Sequence, residues 1–202
     1  STVRCCTQNG VRGGSATTHF PIWHLEIEDI LVLKNNKGTE DNRARKMDYS
    51  IQISKLFYER FINEEEITLF SPHEVPSLMK AWGTPKFDEL YIKYEKDKSV
   101  DSRKVSAQKL FFDILKERAE TGRIYIMNID HCNTHSSFKD RITMSNLCQE
   151  ITLPTRPIQH INDEKGEIAL CILSAINVGT ISDVSELEPI CDLTVRALDD
   201  II

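Results

Sequence analysis

Three side chains with complementary chemistry lie close together in the segment Ser145–Glu150. Asn146, Cys148 and Glu150 occupy alternate positions along it. In an extended segment alternate side chains share a face, so an amide, a thiol and a carboxylate would meet in one small volume. A thiol supports nucleophilic or one-electron chemistry, and a neighbouring carboxylate can transfer protons. The spacing therefore predicts a catalytic site around Cys148.

A second cysteine of interest, Cys171, lies in the apolar run Ile168–Ser174. Free cysteines are often buried and inert, and an apolar strand is where such residues are common. A buried structural role is therefore the alternative for Cys171, and for Cys148 as well.

His131, Cys132 and His135 form a cluster that invites a zinc interpretation. Zinc sites of the finger type combine four ligands, and no second Cys/His pair with suitable spacing accompanies these three. We therefore predict that the chain binds no metal and that the cluster is a packed turn.

The composition limits the classes of function. The chain has 202 residues, 40% of them hydrophobic and 28% charged, which indicates a globular protein. A formal net charge of -6 argues against a nucleic-acid surface, and no apolar run has the length of a membrane span. Six cysteines without a secretory leader favour reduced thiols, so we expect a cytoplasmic protein.

Strand and helix patterns alternate along the chain, which predicts an α/β architecture with substantial parallel pairing. Strands or extended segments are expected at residues 48–53, 123–130, 148–153 and 167–181. Helices are expected at residues 21–33, 55–63, 87–96, 104–120 and 185–202. We see no boundary within residues 1–202, and the sequence ends without a helix-terminating glycine, so we expect one partial domain.

Several motifs together resemble the large subunit of class I ribonucleotide reductases, in its bacterial or phage form. The matching segments are collinear and cover nearly the whole chain: residues 10–14, 20–24, 121–126, 130–136, 146–150 and 166–171. The resemblance implies a ten-stranded α/β barrel built from two five-stranded halves, with a central finger loop. This chain would form roughly the first half of that barrel.

The resemblance also implies roles for individual residues. Cys148 would be the radical cysteine, whose thiyl radical removes the 3′-hydrogen of a ribonucleoside diphosphate. Glu150 would act as the base on the 3′-hydroxyl, and Asn146 would hydrogen-bond the substrate. Cys171 would be one member of the redox-active pair, and its partner would lie outside this chain.

A glycine-containing loop near the start of the chain, residues 6–14, resembles the element that relays a specificity effector to the substrate base. Gln8, Arg12 and Gly13 match positions of that loop, and Gln8 and Arg12 would reach across to the base. Asn9 departs from the family pattern, in which glycine is common at this position.

The partners follow from the same resemblance. They are the remainder of the large subunit, a metal-containing small subunit that supplies the radical, a thioredoxin or glutaredoxin, and nucleoside triphosphate effectors. The large subunits would form a homodimer, and the chain itself would bind no cofactor. Two alternatives stay open: a cobalamin-dependent reductase, which shares the Asn-x-Cys-x-Glu arrangement, and a non-catalytic nucleotide-binding or assembly module.

Overall fold

The computed structural model describes residues 2–202, except for the side chain of Gln8. Two compact units are present, one up to Pro154 and one from Thr155 to Ile202. The strands are β1 Thr7–Gln8, β2 Arg12–Gly13, β3 Thr17–Pro21, β4 Asp48–Ile53, β5 Glu66–Phe70, β6 Ser102–Ser106 and β7 Ile124–Asn128. The α-helices are α1 Thr2–Cys5, α2 Ile27–Leu31, α3 Lys55–Ile62, α4 Pro76–Ala81, α5 Phe87–Lys96, α6 Ala107–Thr121, α7 Ile129–Thr134 and α8 Leu187–Asp199. Short 3₁₀ helices cover Val32–Lys34, Glu40–Asn42, Val178–Thr180 and Val184–Glu186.

A three-stranded parallel sheet with the order β3-β4-β7 organises the first unit. Parallel neighbours need crossover connections, and helices supply them here. The register pairs His19 with Ser50 and Ser50 with Tyr125. Paired residues point to the same side of a sheet, so these three share one side. This confirms the expected α/β architecture with parallel pairing, and within the described residues the sheet is open rather than a closed barrel.

The two sides of the sheet differ in chemistry because β4 alternates polar and apolar residues. One side, called here the helix-facing side, carries Tyr49, Ile51 and Ile53, all at most 4% exposed. Buried residues of α3, α6 and β7 belong to the same core: Phe57, Leu110, Ile114 and Ile124. Burial of each such aliphatic or aromatic side chain stabilises the fold by about 1.5–3 kcal/mol.

The opposite side of the sheet, called here the loop-facing side, is polar although it is buried. It carries Thr17 and His19 from β3 and Ser50 and Gln52 from β4. Ser50 is 0% exposed and Gln52 is 2% exposed. Buried polar groups require hydrogen-bond partners, and a loop described below supplies them.

Helix α6 shows how local sequence sets an element. Ser106 caps its first turn, since its hydroxyl accepts from the backbone N–H of Lys109 at 3.3 Å. Gly122 ends it with a φ of 66°, the left-handed conformation that glycine adopts at low cost. The sequence-based helix at residues 104–120 is thus largely confirmed. Its first residues instead belong to β6, which pairs antiparallel with β5.

An ion pair at the edge of the core joins α3 to α5. Both terminal nitrogens of Arg60 donate to the carboxylate of Glu95 at 2.6 Å. Thr68 of β5 donates its hydroxyl to the same carboxylate at 2.7 Å. Burial acts to raise the pKa of Glu95, but the bonds from Arg60 and Thr68 outweigh it and hold that pKa below its usual value.

One sequence-based helix of the first unit is wrong. Residues 21–33 were expected to be one helix, but Pro21 ends β3, and only Ile27–Leu31 is α-helical. Apolar spacing alone did not reveal that Thr17–Pro21 pairs with β4, because strand pairing depends on a partner distant in sequence.

The second unit lacks the expected strand at residues 167–181. Within the described residues, this segment forms one isolated bridge, between Glu167 and Arg156, and a 3₁₀ turn. Apolar residues of the segment are exposed, with Leu170 at 60% and Leu173 at 78%. An apolar run becomes a strand only where neighbouring strands bond its backbone. Helix α8 confirms the expected final helix.

No helix in the part of the chain that the structure describes is both long enough and apolar enough to cross a membrane.

Candidate active site

The segment with Asn146, Cys148 and Glu150 forms a tight turn. The backbone N–H of Gln149 donates to the carbonyl oxygen of Asn146 at 3.2 Å, and Gln149 has a φ of 66°. The extended geometry expected for residues 148–153 is therefore wrong at its start, and simple alternation does not set the relation between the three side chains. A left-handed residue reverses the chain where a strand would continue.

Asn146 closes the base of this turn. Its side-chain oxygen accepts from the backbone N–H of Ile151 at 3.0 Å and from the hydroxyl of Ser145 at 3.1 Å. Its backbone N–H donates to the carbonyl of Ile151 at 3.3 Å. Asn146 is half-buried, so part of its amide is committed to loop structure.

The thiol of Cys148 lies at the tip of the turn and is exposed, as is the carboxylate of Glu150. A buried, inert role for Cys148 does not fit this placement. An exposed thiol two residues from a carboxylate can meet a ligand, and the carboxylate can exchange protons with the same ligand.

The turn is attached to the loop-facing side of the sheet by side-chain hydrogen bonds. The hydroxyl of Thr17 donates to the carbonyl of Leu147 at 2.6 Å, and Gln52 donates to the carbonyl of Thr143 at 2.7 Å. Gln149 bonds both Ser50 of β4 and the backbone of Ile126 in β7. The polar groups of the sheet thus hold the loop that carries Cys148.

His19 also meets the loop, since its Nε2 lies 3.2 Å from the carbonyl oxygen and 3.4 Å from the backbone nitrogen of Ser145. Burial lowers the pKa of His19, and the bond to Ser145 offsets only part of that effect. The ring is therefore neutral near pH 7. A neutral ring can donate to the carbonyl or accept from the N–H, according to its tautomer.

A second layer of amides supports the loop from behind. The side-chain oxygen of Gln52 accepts from the indole N–H of Trp82 at 2.7 Å. Asn133 accepts from the backbone N–H of Ile142 at 2.9 Å and donates to the Ile142 carbonyl at 3.0 Å. Ile142 is fully buried, so the start of the loop is held in the core.

Cys171 lies in the second unit. Its thiol is exposed, and its segment has no regular secondary structure. The apolar strand that would have made it an inert core residue is not formed.

The loop at residues 6–14 is an exposed hairpin in which Thr7 pairs with Gly13 and Gln8 with Arg12. Asn9 has a φ of 50°, and asparagine tolerates this left-handed conformation better than most residues. The departure from glycine at this position is therefore compatible with the turn. Arg12 and Gly13 are exposed, whereas the side chain of Gln8 lies outside the described part of the structure.

The expected packed turn at the histidine-cysteine cluster is wrong: the segment is the short helix α7, because helical backbone bonds form directly after β7, and His131 and His135 are exposed. The rings of His131 and His135 meet edge to face with centroids 5.4 Å apart. Cys132 packs against the core, and burial raises the pKa of its thiol. Among the described residues, no group of three or more His, Cys, Asp or Glu side chains is arranged to hold a metal.

Sequence reasoning missed the residues that hold the loop: Thr17, Ser50, Gln52 and Gln149. A signal for two of them was present, because the alternation that places Tyr49, Ile51 and Ile53 on one side places Ser50 and Gln52 on the other. Polar residues on the second side of a parallel strand indicate a bonded partner there, since parallel sheets are usually covered on both sides.

Comparisons with known proteins point to one family. The family model described as "Ribonucleotide reductase, barrel domain" matches residues 1–202. The chain is 56% identical to the ribonucleoside-diphosphate reductase subunit alpha of Haemophilus influenzae over 205 residues, which is 99% of this chain and 27% of that protein. It is 55% identical to subunit alpha of reductase 1 of Escherichia coli over 77% of this chain and 21% of that protein. The subunit alpha of Enterobacteria phage T4 is 43% identical over 99% of this chain and 27% of its own length. The chain thus spans about a quarter of the length of these relatives.

Proposed function

Because the chain belongs to the ribonucleotide reductase barrel-domain family, as the sequence motifs predicted, we propose that it is the catalytic-core segment of a ribonucleoside-diphosphate reductase. The reaction would convert ribonucleoside diphosphates to their 2′-deoxy forms for DNA synthesis. The observation that carries the proposal is the exposed Cys148 thiol, held at the tip of a turn that the sheet fixes in place. A reactive thiol needs both access to a ligand and a fixed position.

In the proposed reaction, the Cys148 sulfur acts as a thiyl radical and takes the hydrogen atom from C3′ of the ribose. The S–H bond forms, the C3′–H bond breaks, and the unpaired electron moves to C3′. The Glu150 carboxylate accepts the proton of the 3′-hydroxyl, and the Asn146 amide hydrogen-bonds the substrate. The radical itself would come from a small subunit that carries a metal.

Reduction at C2′ needs two electrons and two protons, and the 2′-hydroxyl leaves as water. Cys171 and a second thiol outside this chain would supply both by forming a disulfide. A thioredoxin or glutaredoxin would then reduce that disulfide by thiol exchange. The exposure of the Cys171 thiol supports this role, because exchange requires access.

Further partners belong to the same proposal. The names of the relatives specify a subunit alpha, so we expect a second kind of subunit, together with the remainder of the large subunit. We also expect a homodimer of large subunits, triphosphate effectors acting through the hairpin of Arg12 and Gly13, and a cytoplasmic location. The relatives' names favour this two-subunit enzyme over a cobalamin-dependent one.

The central test replaces Cys148 in the assembled reductase with its small subunit. Cys148→Ser keeps the size of the side chain but cannot form a thiyl radical, so deoxynucleotide formation should fall to background while substrate binding persists. Cys191→Ser on α8 is the control, because Cys191 is also exposed but lies outside the motif. Full turnover by Cys148→Ser would reject the radical role and favour the non-catalytic module.

A second experiment separates the two cysteines. Cys171→Ser should stop repeated turnover with a dithiol reductant but still permit the initial hydrogen abstraction, which single-turnover kinetics can detect. Repeated turnover at the wild-type rate would place Cys171 outside the redox pair, and equal loss of both steps would show that the abstraction also depends on Cys171. A requirement for adenosylcobalamin in place of the small subunit would instead identify the cobalamin-dependent alternative.

A further inference from the structure

Gln149, the residue after Cys148, joins the turn to two strands of the sheet. Its side-chain oxygen accepts from the hydroxyl of Ser50 in β4 at 2.5 Å. Its side-chain nitrogen donates to the carbonyl oxygen of Ile126 in β7 at 2.7 Å. A carbonyl oxygen only accepts, so the nitrogen must face Ile126 and the oxygen must face Ser50. One side chain therefore bridges both strands in a single orientation.

The backbone of Gln149 gives a second, independent observation. Its φ of 66° lies in the left-handed region, which glycine and asparagine adopt much more readily than residues such as glutamine. A residue held in a sparsely populated conformation persists only where its surroundings impose it, and such residues are concentrated at functional sites. Its surroundings here include the two side-chain bonds and the backbone bond from Gln149 to Asn146.

The burial of Ser50 favours one position of the turn over others. Ser50 is 0% exposed and is part of the loop-facing side. A buried hydroxyl without a partner is costly, and with the turn in place the Gln149 oxygen is the partner of the Ser50 hydroxyl. The Ser50 hydroxyl therefore favours the arrangement in which Gln149, and with it the turn, lies against the sheet.

We propose that Gln149 is a positioning residue for the radical step, acting through the Ser50–Gln149–Ile126 bridge to fix the sulfur of Cys148 relative to the sheet. The inference rests on the proposed function, because it assumes that Cys148 reacts. Gln149 does not itself touch the reacting atoms in this account. It determines where the adjacent sulfur lies when a substrate meets the exposed tip of the turn.

The expected effect is on the rate of reaction and not on substrate affinity. Displacement of a reacting atom by about 1 Å can lower a rate by roughly a hundredfold, because the reacting groups leave their near-attack geometry. Asn146 and Glu150 belong to the same turn, but the contact to the base that is proposed for Arg12 lies outside it, so loss of the bridge should change KM less than kcat. A split between kcat and KM therefore distinguishes a positioning role from general loosening of the site.

The test uses the assembled reductase with its small subunit and measures kcat, KM and the thermal midpoint. Gln149→Leu keeps the approximate size and removes both hydrogen bonds; we expect kcat to fall about ten- to a hundredfold with KM within about twofold. Gln149→Glu keeps the acceptor for Ser50 but loses the donor for Ile126, and its kcat should fall similarly. Gln149→Gly makes the left-handed backbone conformation easier to adopt but removes both hydrogen bonds, so its kcat should also be low.

Ser50→Ala should lower kcat by about three- to tenfold, because it removes one of the two bonds. The double variant Ser50→Ala/Gln149→Leu should be no slower than Gln149→Leu alone, since the two residues act as one unit. Gln108→Leu and Ser77→Ala are the matched controls, as each loses one side-chain hydrogen bond far from the turn.

A further measurement covers variants that fold poorly. The thermal midpoint identifies those variants, and Ser50→Ala, which removes a single hydroxyl, then carries the test in their place. A kcat of Gln149→Leu within about twofold of the wild type would overturn the positioning role, and so would a loss fully matched by Gln108→Leu. An active Cys148→Ser variant would instead reject the proposed function, so the two failures are distinguishable.

Discussion

The hydroxyl of Thr17 donates a hydrogen bond to the carbonyl oxygen of Leu147 at 2.6 Å across 130 positions of sequence. This bond ties β3 to the residue immediately before Cys148. It is separate from the bridge through Gln149, which reaches the other two strands of the sheet. All three parallel strands therefore hold the same turn.

Thr17→Val tests the bond from β3. Valine keeps the shape of threonine but cannot donate, so the carbonyl of Leu147 loses its partner at a cost of about 0.5–1.5 kcal/mol. We expect kcat of the assembled reductase to fall by about three- to tenfold. Thr18→Val is the control, because Thr18 lies on the opposite side of the same strand. Equal rates for both variants would contradict the prediction.

Arg12→Ala tests the exposed hairpin. The guanidinium of Arg12 is exposed in the hairpin, and the proposed function assigns it a contact with the substrate base. We expect the variant to blunt the effect of nucleoside triphosphates on the choice of substrate base more strongly than it lowers the basal rate. The measurement is the ratio of reduction rates for two substrates with and without effector. Arg4→Ala, which removes the same charge from α1, serves as the control. An unaltered effector response in Arg12→Ala would contradict the assignment of the hairpin to effector relay.

His19 predicts a pH dependence of stability. Burial holds the pKa of His19 below its ordinary value of 6.5, so the unfolded chain binds more protons than the folded one below that pH. The contribution to stability is therefore present above pH 6.5 and is lost as the pH falls through the lowered pKa. The pKa of His24 is also lowered, again chiefly by burial.

The corresponding experiment follows the unfolding midpoint of the assembled protein from about pH 7 to about pH 5, where most carboxylates stay ionised. His19→Gln should flatten the decline, because a neutral amide replaces the group that takes up the proton. His73→Gln replaces an exposed histidine and should leave the slope as it is. If the unfolding midpoint falls equally steeply with pH in the wild type and in His19→Gln, His19 does not contribute to the pH dependence of stability.

Arg60→Ala tests the ion pair at the core edge. Arg60 and Glu95 are only 12% and 15% exposed, so removal of the arginine leaves a poorly solvated carboxylate. We expect a loss of about 2–3 kcal/mol in the free energy of unfolding. Lys55→Ala breaks the exposed pair with Glu59 and should cost much less, because water already solvates both charges. If denaturant titrations gave both variants the same loss in the free energy of unfolding, burial would not determine the strength of these ion pairs.

The sequence was sufficient where a pattern depends on near neighbours. The alternation of Asp48–Ile53 predicted a strand with Tyr49, Ile51 and Ile53 on one side, and all three are buried there. Gly122 predicted the end of α6 for a local reason, the left-handed conformation. The motif series predicted the family, which the relatives confirm.

Sequence reasoning failed where distant partners determine the conformation. The turn at Gln149 depends on Ser50 and Ile126, which are far away in sequence, so the local spacing of Asn146 and Cys148 suggested a strand instead. The same cause explains the missed β3 and the absent strand at residues 167–181. The roles assigned to the site residues remain predictions until the variants are measured.

The division of β4 into two chemically different sides has a consequence for redesign of the sheet. On the helix-facing side, Ile51 and Ile53 belong to the buried hydrophobic core, so exchanges of similar volume should be absorbed by small adjustments, typically at less than about 1.5 kcal/mol. On the other side, the polar atoms of Ser50 and Gln52 have specific hydrogen-bond partners in Gln149, Thr143 and Trp82. Mutational tolerance should therefore change from residue to residue along one strand, with a period of two.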